Sequence, residues 1–252
     1  MAARGMTQTA LVTGGARGIG RGAALELARR GFDIALVDLL PDELARAAGE
    51  IEASGRRCLT FVADVTDHAA AKEVAAAIRA DWGRIDFLLN NAGRSMAKGI
   101  AEISEAEFDQ TIAVNLKSCF NYIQAVAPIM LAQGGGRIVS MSSLNAFSGG
   151  VTSAVSKFAY AAAKAGILGM TRALAKELGP SIAVNAICPG VIKTELTAAL
   201  IEARETELAK GIALGRAGTP ADIAQLVAFL ATADPFFITG QEFIVDGFQW
   251  VM

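Results

Sequence analysis

Short apolar segments alternate with helical segments along the whole of this 252-residue chain. Most of the apolar segments end at a glycine, an aspartate or an asparagine. Strands that alternate with helices of about ten residues or more form βαβ units, whose parallel strands are buried on both faces. The sequence therefore predicts an α/β fold: a doubly wound parallel sheet with helices on both faces and right-handed crossovers.

The predicted elements follow one another without a linker, a repeat or a low-complexity segment, so a single domain spanning residues 1–252 is expected. The predicted strands are Thr9 to Thr13, Phe32 to Val37, Cys58 to Ala63, Asp86 to Leu89, Arg137 to Met141, Ile182 to Ile187 and Glu242 to Val245. The predicted helices are Gly18 to Arg30, Pro41 to Ser54, Asp67 to Trp82, a long helical region from Ser104 to Gln133, a helix that holds Tyr160 and Lys164, and helices near 194–210 and 220–232.

Composition and charge exclude several classes of function. The formal net charge is −2 and the Lys and Arg residues are scattered, so no nucleic-acid partner is expected. No membrane partner is expected either, because apolar runs such as Phe158 to Met170 are interrupted by Lys164 and are too short to cross a bilayer. Residues Met1 to Thr9 lack the apolar core of a signal peptide, which favours a cytoplasmic location.

The cysteines and the single histidine argue against metal and hydrolase chemistry. Cys58, Cys119 and Cys188 lie far apart without a Cys-x-x-Cys spacing, so buried free thiols are expected and no metal site. His68 is the only histidine, and its place at a predicted helix start favours a solvated side chain. A Ser-His-Asp hydrolase would depend on that one residue, and the chain has no Gly-x-Ser-x-Gly motif.

A glycine-rich turn, Thr13-Gly14-Gly15-Ala16-Arg17-Gly18-Ile19-Gly20, joins the first predicted strand to the first predicted helix. Gly14, Gly18 and Gly20 allow a tight turn and let the backbone approach a pyrophosphate, which then lies at the helix N-terminus. The turn therefore predicts a Rossmann-like dinucleotide site. A plain glycine-rich turn is the alternative.

Asp38, at the end of the second predicted strand, bears on the choice of dinucleotide. A carboxylate there accepts hydrogen bonds from the adenosine ribose and repels a 2′-phosphate, which favours NAD over NADP. Arg17 argues the other way, because its guanidinium could pair with that phosphate. Asp38 could also be a helix-capping acid.

Further polar or flexible residues follow strand ends, where open α/β sheets bind their ligands. Asp64-Val65 and Asn91-Ala92-Gly93 are candidates for the adenine pocket, or simple turn formers. Pro189-Gly190 could pass close to a nicotinamide ring, or merely punctuate a loop. Ser142 and Ser143 follow the fifth predicted strand.

Tyr160 and Lys164 are four residues apart on a predicted helix, so their side chains leave the same face one turn apart. The lysine ammonium would favour the ionised phenol, and a phenol adjusted in this way serves as a general acid and base near neutral pH. Such a pair is common by chance. Together with the glycine-rich turn, however, it predicts a nicotinamide-dependent oxidoreductase.

These motifs, in this order, resemble those of the classical short-chain dehydrogenases/reductases, and the resemblance spans nearly the whole chain. Thr13 to Gly20 matches the family's Thr-Gly-x-x-x-Gly-x-Gly turn, and Asn90 to Gly93 is identical to its motif after the fourth strand. The further matches are Asn115 at the position of the catalytic asparagine, Ser143 at that of the catalytic serine with Ser142 as an adjacent second candidate, Tyr160 with Lys164, and Pro189-Gly190 followed by Ile192 and Thr194 on the nicotinamide side.

The resemblance implies a hydride transfer that interconverts a secondary alcohol and a ketone. Tyr160 would exchange a proton with the substrate oxygen, and Ser143 would hydrogen-bond that oxygen. Lys164 would bind the nicotinamide ribose, and Asn115 would hold a water in a proton relay. A homo-oligomer, most simply a tetramer, is expected from the family and from the apolar surface of the aromatic residues Phe236, Phe237, Phe243, Phe248 and Trp250.

Two departures from the family's pattern stand out. Sixteen residues, Leu144 to Ala159, separate Ser143 from Tyr160, which enlarges the loop beside the expected substrate pocket. That interval contains Lys157, a second lysine without a tyrosine four residues before it. Phe248 stands where relatives often carry a second glycine, which could alter subunit contacts.

The sequence does not single out a substrate. A 3-oxoacyl-thioester reductase and a sugar or polyol dehydrogenase are alternatives within the same chemistry. A non-catalytic nucleotide-binding sensor is the alternative outside it, and the presence of all four catalytic candidates argues against it. The candidate pocket consists of Arg94, Ser95, Met96, Leu144, Asn145, Phe147 and a candidate lid over residues 192–216, with Gly211 and Gly215 as candidate hinges.

Overall fold

The computed structural model describes residues 7–150 and 155–249. The expectations for Met1 to Met6, for residues 151–154 of the enlarged loop and for Trp250 lie outside these residues. Within the described part, seven strands form one sheet in the order β3-β2-β1-β4-β5-β6-β7, with every neighbouring pair parallel. The strands are β1 (Thr9–Thr13), β2 (Asp33–Asp38), β3 (Cys58–Val62), β4 (Phe87–Asn90), β5 (Gly136–Met141), β6 (Ile182–Pro189) and β7 (Glu242–Val245).

Helices cover both faces of the sheet. They are α1 (Gly18–Arg29), α2 (Pro41–Ala53), α3 (His68–Trp82), α4 (Glu105–Ile112), α5 (Ser118–Ala132), α6 (Asn145–Ser148), α7 (Phe158–Leu178), α8 (Ala198–Glu202), α9 (Glu205–Lys210) and α10 (Pro220–Thr232), with a π-helical turn at Ala113–Lys117. Residues of α3, α5 and α7 form one buried apolar cluster, and residues of α1, α2 and α10 form the other.

The central strands are buried on both faces, as a doubly wound sheet requires, whereas the edge strands β3 and β7 are partly exposed. In β1, Leu11 packs into the cluster with α3, α5 and α7, while Ala10 and Val12 pack into the opposite cluster. In β4, Leu88 and Leu89 divide in the same way. This alternation is the period of two that a strand imposes on its side chains. The predicted doubly wound parallel sheet is confirmed.

The order of the strands reverses between β1 and β4, because β2 and β3 lie on one side of β1 and β4 to β7 lie on the other. At such a point the crossover connections leave in opposite directions, and a crevice opens beyond the carboxyl ends of the two central strands. The glycine-rich turn follows β1, and Asn91-Ala92-Gly93 follows β4. The fold therefore brings these two motifs to the same crevice.

Several predicted helices differ from those observed. The region from Ser104 to Gln133 is divided into α4 and α5 by the π turn, and the helix expected near 194–210 is the two short helices α8 and α9. Arg204 separates α8 from α9 because its backbone (φ −130°) leaves the helical region. A further short helix, α6, forms in the enlarged loop. No helix of the described residues has the length and apolar character needed to span a membrane.

Candidate active site

The glycine-rich turn is held against the end of β4 by a polar clamp. The hydroxyl oxygen of Thr13 accepts hydrogen bonds from the backbone N–H groups of Asn91 (3.0 Å) and Ala92 (3.1 Å). The Asn91 amide donates in return to the carbonyl oxygens of Thr13 and Gly14, both at 3.0 Å. The structure thus places Asn91 and Ala92 beneath the turn. Sequence reasoning assigned no role to the Thr13 hydroxyl, and its only signal is its place as the first residue of the motif.

Gly20 is required by the turn itself, since a Cβ atom at this position would lie 2.0 Å from the carbonyl oxygen of Gly14. Gly18 has a positive φ of 57°, and a Cβ there would first meet the Thr194 side chain at 3.4 Å. The N-cap residue of α1, Arg17, makes no side-chain cap, and the first turn of α1 contains no acidic residue. Backbone N–H groups at a helix N-terminus attract anions. This end of α1 therefore fits a dinucleotide pyrophosphate.

Asp38 lies at the end of β2, beside the turn. Its carboxylate accepts hydrogen bonds from the backbone N–H groups of Ala16 (3.2 Å) and Leu39 (2.8 Å). The N-cap of the following helix α2 is Leu40, so Asp38 does not cap that helix. The Asp38 carboxylate instead lies next to Ala16, the residue before Arg17, and places a negative charge at the edge of the candidate dinucleotide site.

The remaining candidates for the adenine pocket follow β3. Asp64 is exposed, and its carboxylate accepts a hydrogen bond from the N–H of Thr66 at 2.8 Å. Val65 is buried, and its carbonyl oxygen accepts a hydrogen bond from the Asn121 amide at 2.9 Å. Both residues shape the turn after β3, which lies next to β2 and Asp38 in the sheet.

Lys164 and Tyr160 lie on the same face of α7. The Lys164 side chain is buried, and its Nζ donates a hydrogen bond to the carbonyl oxygen of Met141 at 2.8 Å. Nζ also lies 5.6 Å from the centre of the half-buried Tyr160 ring. An ammonium group carries three N–H donors, and Met141 takes one of them. The other two can bind hydroxyl groups of a ligand, while the positive charge stays beside the phenol.

The two adjacent serines after β5 have different surroundings. Ser142 is buried, and its hydroxyl donates to the backbone carbonyl oxygen of Lys164 at 2.7 Å. Ser143 is half-buried, and its hydroxyl oxygen accepts a hydrogen bond from the N–H of Asn145 at 3.2 Å. The hydroxyl of Ser142 therefore uses its donor to hold α7 against the end of β5. The hydroxyl of Ser143 keeps a donor for a ligand.

Asn115 lies in the π turn and is fully buried. Its side-chain oxygen accepts from the N–H of Arg94 (3.1 Å), and its amide donates to the carbonyl oxygens of Arg94 (2.9 Å) and Thr111 (3.0 Å). A Cβ atom on Gly93 would lie 3.0 Å from the Asn115 oxygen and 3.4 Å from Lys164 Nζ. Gly93 thus lies next to both Asn115 and Lys164. π turns inside helices are frequent at functional sites.

The end of β6 lies beside the two serines. Pro189 accepts a hydrogen bond from the N–H of Leu144 at 3.0 Å, and Gly190 donates to Val245 of β7 at 3.0 Å. Cys188 is fully buried, and this burial raises the pKa of its thiol to about 11. A neutral thiol therefore lies behind Ser143, and the cysteines of the described residues are free, as expected. Cys58, however, is only half-buried.

His68 packs beside α5. His68 is half-buried rather than solvated: it stacks on Phe120 with ring centres 5.8 Å apart and bonds to Gln124 at 2.6 Å. The sequence did not show that the helix bearing Phe120 and Gln124 would pack beside it. In residues 7–150 and 155–249, no three His, Cys, Asp or Glu side chains are grouped as metal ligands.

The structure divides the candidate pocket residues. A cavity of about 110 Å³ is lined by Arg94, Ser95 and Met96 together with residues of α4 and the π turn: Glu107, Gln110, Thr111 and Val114. Leu144 is buried against β6, and Asn145 and Phe147 lie on α6. The candidate lid joins the domain through a bridge between Ile192 and Gly218, and Gly215 in it has a positive φ of 68° whereas Gly211 does not.

Comparisons with known proteins agree on one family. A family model described as "Enoyl-(Acyl carrier protein) reductase" matches residues 14–247. The 3-oxoacyl-[acyl-carrier-protein] reductase FabG of Thermotoga maritima is 41% identical over 241 residues, which cover 94% of this chain and 95% of that protein. Oxidoreductase UcpA of Escherichia coli strain K12 is 38% identical over 249 residues, which cover 95% of this chain and 93% of that protein.

Solved structures give the same result. A short-chain dehydrogenase/reductase of Brucella melitensis described as a glucose/ribitol dehydrogenase is 32% identical, with a TM-score of 0.89 and 100% of both chains covered. A short-chain type dehydrogenase/reductase of Mycobacterium marinum is 30% identical, with a TM-score of 0.90, and the match covers 97% of this chain and 96% of that chain.

Proposed function

This chain belongs to the short-chain dehydrogenase/reductase family, whose members are nicotinamide-dependent oxidoreductases acting on CH–OH groups, and we propose that it interconverts a secondary alcohol and a ketone. The observation that carries the proposal is the buried Lys164 ammonium beneath the Tyr160 ring, with Asn115 across Gly93 and Ser143 at the end of β5. A buried cation that lies beside a phenol and has N–H donors left for a ligand supports this chemistry.

In this proposal Tyr160 moves the proton. During alcohol oxidation its phenolate oxygen takes the hydroxyl proton, and during ketone reduction its phenol returns a proton to the carbonyl oxygen. The Lys164 ammonium stabilises the phenolate, and the Ser143 hydroxyl donates a hydrogen bond to the substrate oxygen. A bound nicotinamide supplies or accepts the hydride at the substrate carbon. Asn115 positions the segment after β4 and would hold a water in a proton relay to solvent.

NAD is the proposed dinucleotide. The N-terminal turn of α1 would hold its pyrophosphate, and Asp38 would accept hydrogen bonds from the adenosine ribose. The nicotinamide side of the dinucleotide site would be formed by Lys164, Pro189, Gly190, Ile192 and Thr194. The negative charge of Asp38 supports NAD over NADP, while Arg17 remains the residue that could favour NADP.

A 3-oxoacyl-thioester reductase is the second candidate function. It is favoured by the 41% identity to a reductase of that name. The two functions share the same residues and differ in substrate, so they are distinguished by assaying an acyl thioester beside simple ketones.

The surroundings of the site complete the proposal. We propose that residues 1–252 form a single domain and that the protein works in the cytoplasm as a homo-oligomer. We also propose that a lid at about 192–216 closes over the substrate. Closure would exclude water and complete the pocket. Hydrogen exchange over the lid should then slow when NAD and substrate are both added, and equal protection in both states would favour a fixed surface segment.

The decisive experiment is a panel of alcohols, ketones and acyl thioesters, run with both NAD(H) and NADP(H). Tyr160→Phe should lower turnover by at least about a hundredfold while leaving cofactor affinity nearly unchanged, because only the proton-transfer group is lost. The matched control is Tyr122→Phe, which removes the same hydroxyl from the other of the two tyrosines, buried in α5. Turnover of Tyr160→Phe within about tenfold of wild type would contradict the assignment.

A further inference from the structure

Glu195, in the segment that follows β6, reaches across the cleft to the N-terminus of α1. Its Oε2 accepts a hydrogen bond from the backbone N–H of Gly18 at 3.0 Å. Its Oε1 lies 3.5 Å from the guanidinium of Arg21, in the first turn of the same helix, and that guanidinium also pairs with Glu50 at 2.5 Å. The two partners are far apart in sequence, so this contact depends on the folded domain. Sequence reasoning assigned no role to Glu195 or to Arg21.

The Glu195 carboxylate is positioned by a short turn that Thr194 and Thr197 stabilise. The N–H of Thr194 donates to the hydroxyl oxygen of Thr197 at 2.8 Å, and that hydroxyl donates to the carbonyl oxygen of Ile192 at 2.8 Å. Thr194 itself faces Gly18 across the cleft. Glu195 is therefore held next to the glycine-rich turn, and its side chain is exposed to solvent.

At this position the Glu195 carboxylate accepts the hydrogen bond from the Gly18 N–H that a phosphate oxygen could accept. The helix N-terminus and the Arg21 guanidinium both favour a negative charge, and α1 supplies no acidic residue of its own in the first turn. A pyrophosphate at this turn needs the same N–H groups, and it carries the same sign of charge as Glu195. The two anions compete for one place.

We propose that Glu195 is an internal competitor for the cofactor pyrophosphate. Binding of a dinucleotide at the turn must displace the Glu195 carboxylate from Gly18, so the protein binds its cofactor more weakly than the turn alone would allow. The displacement also releases the first residues of the lid from α1. This inference rests on the proposed function, since it takes the turn to be the pyrophosphate site.

The size of the effect follows from the exposure of the contact. The Glu195 side chain is 54% exposed, so solvent and salt screen its charge. A helix-terminus interaction and one exposed ion pair together correspond to about a two- to tenfold change in dissociation constant. Glu195→Ala should therefore tighten dinucleotide binding by that factor, and Glu195→Gln should produce part of the gain because it removes only the charge.

The test uses fluorescence and calorimetric titration of the full chain with NADH, with ADP-ribose, which keeps the pyrophosphate, and with adenosine, which lacks it. The gain should occur for NADH and ADP-ribose and not for adenosine. Glu202→Ala is the matched control, because Glu202 lies in the same segment and pairs instead with Lys193 at 2.8 Å. Urea denaturation of each variant shows whether the fold is intact.

The outcomes separate the two proposals. Unchanged or weaker ADP-ribose binding by both folded Glu195 variants overturns the role of Glu195 and leaves the proposed function standing. A gain of equal size for adenosine also overturns it, since adenosine makes no demand on the Gly18 N–H. If the wild type binds neither NADH, NADPH nor ADP-ribose, the proposed function and the role of Glu195 fail together.

Discussion

Ser142 and Ser143 are chemically identical neighbours, and only their surroundings tell them apart. The hydroxyl of Ser142 is buried against the Lys164 carbonyl oxygen, whereas Ser143 is half-buried with a donor left for a ligand. Sequence reasoning could place a serine at this strand end, because the two serines follow the fifth predicted strand and the resemblance to a family points to the same position. It could not show which hydroxyl faces α7, since that depends on how α7 packs against β5.

The two serines should therefore respond differently to the same substitution. Ser143→Ala should lower turnover by about a hundredfold or more, because the substrate oxygen loses a hydrogen bond in the transition state. Ser142→Ala should instead lower the free energy of unfolding by about 1 kcal/mol, with a smaller change in turnover. Urea denaturation and steady-state kinetics on both variants provide the comparison. The reverse pattern would exchange the two roles.

Asp38 provides the residue-scale prediction for cofactor choice. Wild type should bind NADH more tightly than NADPH, and Asp38→Asn should reduce that preference by about tenfold, because it removes the charge and keeps an oxygen for the Ala16 N–H. Asp42→Asn is the control, since Asp42 is an exposed acid in the first turn of α2. Tighter binding of NADPH by wild type would overturn the assignment and give Arg17 the role of a phosphate ligand.

At the scale of elements, the strands were the easier part to predict. The predicted bounds of β1 and β7 are those observed, because an apolar run that ends at a glycine or an aspartate has few other places to stop. The π turn could not be predicted. An extra residue in one turn hardly alters the apolar pattern of a long helical region, and the hydrogen bonds between Asn115 and Arg94 that accompany it depend on the segment after β4.

The N-terminus of α10 offers a test of stability at this scale. Asp222 accepts hydrogen bonds from the N–H (2.7 Å) and the hydroxyl (2.8 Å) of Thr219, and the ion pair with Arg216 holds the pKa of its carboxyl well below the ordinary value of 3.8. A depressed pKa means that the ionised carboxylate stabilises the folded state above the unfolded pKa. This stabilisation is lost as the pH falls through the folded pKa.

Asp222→Ala should accordingly lower the free energy of unfolding by about 1 kcal/mol at neutral pH. The difference from wild type should persist down to about pH 4 and shrink below it, as the wild-type carboxyl is protonated. Urea denaturation of both proteins over this range measures it. A difference that is still undiminished near pH 2 would show that the charge of Asp222 is not the cause.

At the scale of the whole molecule, the sequence predicted the sheet and the meeting of its motifs but not the surface. Of the aromatic residues near the C-terminal end, Phe237 and Phe248 are exposed, whereas Phe236 is half-buried beneath the Arg137 guanidinium, 4.1 Å from its ring centre. Which rings face outward depends on how the loop before β7 packs against β5. Two further exposed side chains, Phe229 and Ile244, lie on α10 and on the edge strand β7.

This apolar surface leads to the prediction of a homotetramer. Light scattering at micromolar concentration should give four times the chain mass of 26.1 kDa. Combining Phe237→Ser with Ile244→Lys should lower that mass, because it removes apolar contact area and charges the edge of the sheet. Val62→Ser, on the opposite edge strand β3, is the control. A mass of 26.1 kDa for the wild type would refute the prediction.

The π turn at Ala113–Lys117 bears on how such a site can arise and be lost. A π turn holds one residue more than an α-helical turn between hydrogen-bonded groups, and one residue rotates a helix by about 100°. Deleting a single residue here would restore a continuous helix and turn α4 away from α5, so Asn115 would no longer meet Arg94 and Gly93. A one-codon deletion in this helical region would therefore disrupt the site while hardly changing the apolar pattern of the sequence. A one-codon insertion into a continuous helix would equally suffice to create the π turn.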